Sequence, residues 1–274
     1  MGERIKRVIT SNIYFLVVIS AVLINKYEYI LSLMFLEGVI AIYEYFDVAN
    51  LKKKKALPII GYLIMLSYFL IGLFLKNTIF YSKPITYISF LILTIYTILK
   101  YDKINFEEFS TAFLGYIYIP FLIFFIPEIF KLQNGNILYL FLMFAVMGTD
   151  SGAYLVGIRI GKHKLTKVSP NKSIEGSIGG IVFALVINLL TYFALFKLNV
   201  SLVSNINLLK LLGITLIISI ISQFGDLLAS YIKRHFGKKD YGNILMGHGG
   251  ILDRIDSLIL SAPAAYMLFK YFLI

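Results

Sequence analysis

Long apolar runs separated by short polar stretches dominate the chain. A bilayer core about 30 Å thick requires about 20 consecutive apolar residues per spanning helix, within a range of about 17 to 25. By this criterion we expect about nine spans, near residues 8–25, 28–47, 57–75, 79–99, 109–130, 136–158, 177–197, 208–231 and 253–273. The pattern therefore predicts an all-α, polytopic integral membrane protein.

The third to fifth spans contain prolines that can change their bounds. A proline lacks the backbone N–H and clashes with the preceding turn, so it can kink or shorten a helix. The four prolines concerned are Pro58, Pro84, Pro120 and Pro127.

Composition supports a membrane protein and excludes several other classes. A hydrophobic fraction of 59% lies well above that of soluble globular domains. The first apolar run follows a short basic head and lacks a small-residue cleavage site, so we expect a retained helix and not a signal peptide. The chain has no Cys, which excludes a disulfide framework.

The net charge of +11 would suit a nucleic-acid binder, but the distribution of basic residues favours another explanation. Nineteen of the 26 Lys and Arg residues fall at the N-terminus or in the loops after even-numbered spans. The positive-inside rule then places those segments in the cytoplasm, with the protein in the cell (inner) membrane and no nucleic-acid partner.

Polar residues are concentrated in two of the cytoplasmic loops. One lies within residues 148–180 and the other joins the eighth and ninth spans. Residues 1–135 therefore look like scaffold helices and residues 136–274 like the catalytic part. The two loops and their flanks hold six carboxylates: Asp150, Glu175, Asp226, Asp240, Asp253 and Asp256.

Three of these carboxylates form a candidate metal site. An aspartate inside a span costs roughly 2.5–3.5 kcal/mol, so Asp226 needs a partner, either a basic neighbour or a bound cation. Asp253 and Asp256 share one helical face, and capping of the helix N-terminus would explain only one of them. Oxygen ligands suit Mg²⁺, whereas zinc is disfavoured by the absence of Cys.

Phosphate-binding features lie in the same loops. The glycines around His248 can expose backbone N–H groups before a helix start, and Lys172, Lys233, Arg234, Lys239 and Arg254 can add charged hydrogen bonds. The segment SPNKSIEG is not a P-loop, because it lacks the order of residues that defines one. Carboxylates, cations and glycines together indicate metal-assisted phosphoryl or nucleotidyl transfer, without identifying the nucleotide.

Residues 145–260 resemble the phosphatidate cytidylyltransferases, also called CDP-diacylglycerol synthases. The residues that match the signature of that family, at its spacing, are Ser230, Lys233, Arg234, Lys239, Asp240, Gly242, His248, Gly249, Gly250, Asp253, Arg254 and Asp256. Upstream, GDLLAS, SPNKSIEG and DSGAYLVGIRIGKHKL resemble further family segments. Met246 and Tyr241 depart from the usual Pro and Ser, but neither position bears a charge or a metal ligand.

The resemblance implies that CTP and phosphatidate give CDP-diacylglycerol and pyrophosphate within a membrane of lipids. Its implied catalytic residues are Asp226, Asp253, Asp256 and Lys172. The three aspartates would bind Mg²⁺, and the presence of a second cation is left open. Its implied substrate-binding residues are Ser169, Asn171, Lys172, Ser173, Lys233, Arg234, Lys239, His248, Gly249, Gly250 and Arg254. Asp150 and Glu175 have supporting or structural roles in this interpretation, and a homodimer rests on the resemblance alone.

Two alternatives remain open from the sequence. A related lipid kinase acting on a polyprenol or phytol would use a similar site and release a nucleoside diphosphate. A secondary transporter would also place carboxylates in broken helices, but nearer the membrane midplane.

The distribution of basic residues gives a testable topology. We predict that residues 52–55, 159–176 and 233–252 are cytoplasmic and that Ile274 is on the far side. In this Cys-free chain, a Lys54→Cys variant should react with a membrane-impermeant thiol reagent only after the membrane is permeabilised. Labelling from the outer face of intact cells would contradict the topology.

Overall fold

The computed structural model describes residues 16, 19–75, 78–198, 200, 206–244 and 249–273. Its helices are α1 Tyr27–Val48, α2 Ala56–Phe74, α3 Thr78–Leu99, α4 Phe106–Tyr116, α5 Phe125–Phe130, α6 Gly135–Ile160, α7 Ile174–Lys197, α8 Leu208–His235 and α9 Leu252–Leu268. Within these described ranges there is no strand, only an isolated antiparallel bridge between Lys164 and Ser173. The all-α prediction is confirmed.

Seven segments of the described chain are long and apolar enough to cross a membrane. They are Tyr27–Val48, Ala56–Phe74, Thr78–Leu99, Phe106–Phe130, Gly135–Ile160, Ile174–Lys197 and Leu208–His235. These correspond to the second to eighth predicted spans. Most of the first predicted span lies outside the described residues, and α9 has only 17 residues before a π-helical turn at Phe269–Leu273. The count of nine is therefore not confirmed.

The prolines affect the helices unequally. Pro58 lies in the first turn of α2, where a missing N–H has no consequence, and Pro84 lies inside an unbroken α3. Pro120 falls in a π-helical turn, Ile117–Phe121, and Pro127 in the short α5 that follows. The predicted interruption thus occurs in the fifth span, which the structure divides into three helical pieces.

The chain divides into two compact units. The first contains the described parts of residues 1–128 and 235–255, and the second contains those of 129–234 and 256–274. The division falls within α9, between Ile255 and Asp256. The predicted functional division at residue 135 stays a prediction, because compactness does not measure activity.

In the first unit, buried tyrosines join the helices. The hydroxyl of Tyr45 in α1 donates to the carbonyl of Thr111 at 2.9 Å, and that of Tyr116 in α4 donates to the carbonyl of Leu57 at 2.7 Å. Both side chains are almost fully buried, at 1% and 3% exposure. Each ring therefore fills the apolar core while its hydroxyl is hydrogen-bonded, which avoids the cost of an unpaired polar group in lipid.

In the second unit, α6 and α7 pack closely because glycines line their contact. A Cβ at Gly180 would lie 2.6 Å from the carbonyl oxygen of Thr149, and one at Gly176 would lie 2.8 Å from that of Ala153. Small residues of this kind let helix backbones approach in a membrane, where association depends on packing and not on the hydrophobic effect. This contact fixes the start of α7 and the loop that leads into it.

Buried polar side chains attach α8 to the same pair of helices. A 2.6 Å hydrogen bond joins the hydroxyls of Thr149 and Ser219. Asn188 donates from Nδ2 to Thr215 Oγ1 at 2.9 Å and to the carbonyl of Phe141 at 3.1 Å. Hydrogen bonds between helices in lipid are typically worth about 0.6 to 1.7 kcal/mol each. Together they fix the position of α8, whose C-terminal half carries the candidate site.

Candidate active site

The loop before α7 is held by the carboxylate of Glu175. It accepts hydrogen bonds from the backbone N–H groups of Lys162, at 3.1 Å, and His163, and it contacts His163 Nδ1 at 2.6 Å. Ser173 caps α7 by accepting from the N–H of Gly176 at 3.0 Å. Glu175 is therefore a structural residue in this loop, and the hydroxyl of Ser173 is engaged in the helix cap.

The same loop presents Lys172 to α8. Its backbone is fixed by two bonds, from the Leu165 N–H to the Lys172 carbonyl at 2.9 Å and from the Lys172 N–H to the Ser169 carbonyl at 3.0 Å. Its ammonium forms an ion pair with Asp226. The two side chains are 27% and 32% exposed, so both remain within reach of a ligand from outside.

Asp256 lies at the point where α8 meets the second-unit part of α9. A Cβ at Gly225 would lie 2.8 Å from the Asp256 carbonyl oxygen and 2.9 Å from the Ser257 Cα. The glycine before Asp226 thus permits close contact between the two backbones. Asp256 is 6% exposed, and its Oδ1 accepts from the N–H of Ser257 at 2.6 Å.

Several charges are gathered around Asp256. It interacts electrostatically with Asp226, Asp150 and Lys233, and Lys233 is itself buried at 8% exposure. Like charges held together are unfavourable unless cations offset them. Carboxylates from α6, α8 and α9 are therefore brought together in the second unit, with two lysines as their basic neighbours.

Asp226 and Asp256 provide oxygen donors of the kind that Mg²⁺ prefers. No group of three His, Asp or Glu residues in the described part of the chain could hold one metal ion. Mg²⁺ commonly binds through one or two carboxylates and completes its coordination with water and substrate phosphates. Asp226 and Asp256 can supply two such carboxylates, and whether Asp253 joins them stays a prediction.

Asp253 organises the turn before α9 in the first unit. Its Oδ2 accepts from the N–H of Tyr241 at 2.8 Å and from that of Gly250 at 2.9 Å. Gly249 has φ +80°, in the left-handed region that favours glycine, and a Cβ there would lie 2.7 Å from the same oxygen. The N–H of Gly250, predicted to face a phosphate, is therefore bonded to a protein carboxylate.

Glu44 in α1 is a residue that the sequence analysis missed. Its carboxylate accepts from the N–H groups of Ile251 at 3.0 Å and Leu252 at 2.8 Å, and the residue is only 1% exposed. The cost of an acid within an apolar span, which singled out Asp226, applies equally to Glu44 and Glu37. That criterion, extended to the N-terminal spans, would have found it.

The structure gives the exposure of most of the remaining predicted substrate-binding residues. Ser169 is half-buried, and Asn171, Arg234, Lys239 and Arg254 are exposed. His248 lies outside the described residues. The substrate-binding assignments of all these residues, and those of Lys233, Ser173, Gly249 and Gly250, stay predictions.

A cavity of about 370 Å³ opens beside the loop that carries Lys172, within the second unit. Its lining is mostly apolar, with three polar side chains: Thr166 from the loop, and Ser177 and Gln223 from α7 and α8, which are joined by a hydrogen bond. The apolar lining residues are Leu165, Ile181, Ile220, Phe224 and Leu227. Such a surface suits hydrocarbon and not a nucleotide.

Comparisons with known proteins agree with this chemistry. Residues 5–272 match the profile of the Cytidylyltransferase family. The chain is 36% identical over 276 residues to the phosphatidate cytidylyltransferase of Bacillus subtilis, covering 99% of this chain and 100% of that protein. It is 44% identical over 183 residues to the Staphylococcus aureus protein of that name and 43% identical over 185 to that of Staphylococcus haemolyticus, each over 66% of both chains.

The gathered carboxylates predict an unusual effect on stability. Asp256→Asn keeps an oxygen that can accept from the Ser257 N–H and removes one negative charge beside Asp226 and Asp150. We expect the midpoint of thermal unfolding in metal-free buffer to stay within about 2 °C of the native value or to rise. Asp256→Ala, which also removes the acceptor, should be less stable, and a fall of several degrees for Asp256→Asn would show that the charge itself stabilises the fold.

Proposed function

The chain belongs to the cytidylyltransferase family, and we propose that it transfers the cytidylyl group of CTP to phosphatidate. A phosphate oxygen of phosphatidate attacks the α-phosphorus of CTP, and the bond between the α- and β-phosphates breaks. The products are CDP-diacylglycerol and pyrophosphate. The enzyme is thus a nucleotidyltransferase of lipid biosynthesis, located in a membrane.

The Lys172–Asp226 pair beside Asp256 is the observation that carries the proposal. Both substrates are anionic, so their approach is opposed by mutual repulsion, and preorganised charge at the reacting phosphates lowers that barrier. Lys172 can leave its partner for a phosphate oxygen, because both side chains are partly exposed. Its loop is fixed by Glu175 and Ser173, so the ammonium is held near α8 before substrate arrives.

We propose Mg²⁺ as the cofactor, held by Asp226 and Asp256 with substrate phosphates. When bound, it would neutralise triphosphate charge and stabilise the pyrophosphate that leaves. The protein would contribute fixed carboxylates, one partly exposed and one buried. Asp253 as a further ligand and the presence of a second cation are parts of the proposal that rest on the sequence.

The lipid side of the proposal rests on the apolar cavity and the nearby cations. An acyl chain suits the cavity lined by α7 and α8, and Lys233 and Arg234 near the end of α8 suit the lipid phosphate. The proposed setting is the cell (inner) membrane, with the N-terminus and both polar loops in the cytoplasm where CTP is found. A homodimer belongs to the proposal on the resemblance alone.

Product analysis of the purified protein tests the reaction. With CTP, Mg²⁺ and phosphatidate, we expect pyrophosphate and CDP-lipid in equal amounts, and a chelator should stop both until Mg²⁺ is restored. Asp226→Asn and Asp256→Asn should lower turnover by about a hundredfold or more, as does the loss of other preorganised groups. A nucleoside diphosphate as product would indicate a lipid kinase, the absence of any nucleotide product would favour a transporter, and activity indifferent to chelation would exclude the metal.

A matched pair of variants tests Lys172. Lys172→Met keeps the length of the side chain and removes the ammonium, whereas Lys167→Met makes the same change at an exposed position of the same loop. A partly exposed ion pair contributes at most about 1 kcal/mol to stability, so both variants should unfold near the native temperature. We expect kcat/KM for CTP to fall by about tenfold or more in Lys172→Met only. Equal kinetics in the two variants would return Lys172 to the role of an ordinary loop residue.

A further inference from the structure

We infer that Glu44 is a positioning residue for the turn that begins α9, and that it acts on CTP use through that turn. The inference rests on the proposed function for its kinetic part. Glu44 lies in the N-terminal helices, which the sequence assigned to scaffold. Its carboxylate nevertheless reaches the segment that carries the signature residues Gly249, Gly250 and Asp253.

The contact is an N-terminal helix cap supplied from 207 residues away. The first backbone N–H groups of a helix have no partner within the helix. A Ser, Thr, Asp or Asn just before the helix usually supplies one, but here the preceding residue is Ile251, whose side chain has no acceptor. Glu44 supplies the missing acceptor for two consecutive N–H groups, and its negative charge suits the positive end of the helix dipole.

Two glycines make room for this carboxylate. A Cβ at Gly242 would lie 2.6 Å from Glu44 Oε1, and a Cβ at Gly250 would collide with Glu44 Oε2. Neither glycine has a positive φ, so their small size and not their conformational freedom is what the structure requires. The glycines of the turn therefore serve to admit a protein carboxylate.

Glu44 and Asp253 act on adjacent parts of one turn. Glu44 accepts hydrogen bonds from the N–H groups of Ile251 and Leu252, and Asp253 accepts them from those of Gly250 and Tyr241. Two carboxylates also repel each other, and Glu44 interacts electrostatically with Asp253. The two carboxylates held against the turn therefore fix where the Asp253 carboxylate lies.

Glu44 is not a surface acid that contacts water, because its side chain is buried. At 1% exposure, its side chain is removed from water and lipid, and an acid within an apolar span costs roughly 2.5–3.5 kcal/mol to insert. Glu37 is a matched comparison, because it is seven residues earlier in the same helix and is also buried, at 7% exposure. Its Oε2 has no hydrogen-bond partner, so it lacks the contact that the inference concerns.

Hydrogen–deuterium exchange tests the positioning directly, without reference to activity. In full-length protein in detergent, peptides that contain Ile251 and Leu252 should exchange about tenfold faster or more in Glu44→Gln than in the native protein. The two N–H groups bond to different carboxylate oxygens, and in the amide one of these oxygens is replaced by an NH₂ group, which cannot accept. Glu37→Gln should leave those peptides unchanged. Unchanged exchange in Glu44→Gln, or equal acceleration in the two variants, would overturn the inference.

Kinetics provide the second readout. In Glu44→Gln we expect KM for CTP to rise by about tenfold or more, with KM for phosphatidate and the unfolding temperature near their native values. Glu44→Asp, which keeps the charge but is one methylene shorter, should be intermediate, and it carries the test if Glu44→Gln does not fold. A fall in kcat alone, parallel to a loss of folded protein, would indicate a merely structural residue. If the native protein makes no CDP-lipid, the proposed function fails while the exchange experiment still decides the placement.

Discussion

Within each unit, the polar contacts depend on one constraint, the cost of a carboxylate within apolar helices. The second unit meets this cost with lysine side chains, since Lys172 pairs with Asp226 and Lys233 lies beside Asp256. The first unit meets it with backbone N–H groups at the start of α9, which donate hydrogen bonds to the Glu44 carboxylate. Asp226 and Glu44 therefore lie where a loop or a helix end supplies donors, and such places can also bind an anionic substrate.

Close backbone contact is the means by which these partners are brought within reach. Gly225 lets α8 approach Asp256, and Gly242 and Gly250 admit the Glu44 carboxylate. The glycines of α6 and α7 bring those helices together and so position the loop that carries Lys172. A methyl group at these contacts would force the backbones apart. The charged groups keep their partners only while the small residues allow this close packing.

The sequence predicted the second to eighth spans well, because hydrophobic length is set by the bilayer and can be counted directly. It also placed Asp226, Lys172 and Asp256 in one region, as the second unit shows. It missed Glu44, because a contact across 207 residues depends on helix packing that no local pattern encodes. It also treated the glycines around residue 250 as exposed N–H donors, whereas the turn directs the Gly250 N–H to Asp253.

The two aspartates of α9 also show how one spacing can serve two purposes. From sequence, Asp253 and Asp256 are equivalent partners on a helical face. In the structure, Asp253 accepts from the N–H groups of Tyr241 and Gly250 and shapes the turn, whereas Asp256 accepts from the N–H and hydroxyl of Ser257 and lies among other charges. Turn formation thus accounts for the first aspartate within the protein itself. Asp256 instead lies buried beside Lys233 and near the carboxylates of Asp226 and Asp150, and this difference is the reason to propose Asp256 before Asp253 as the partner of Asp226 in holding Mg²⁺.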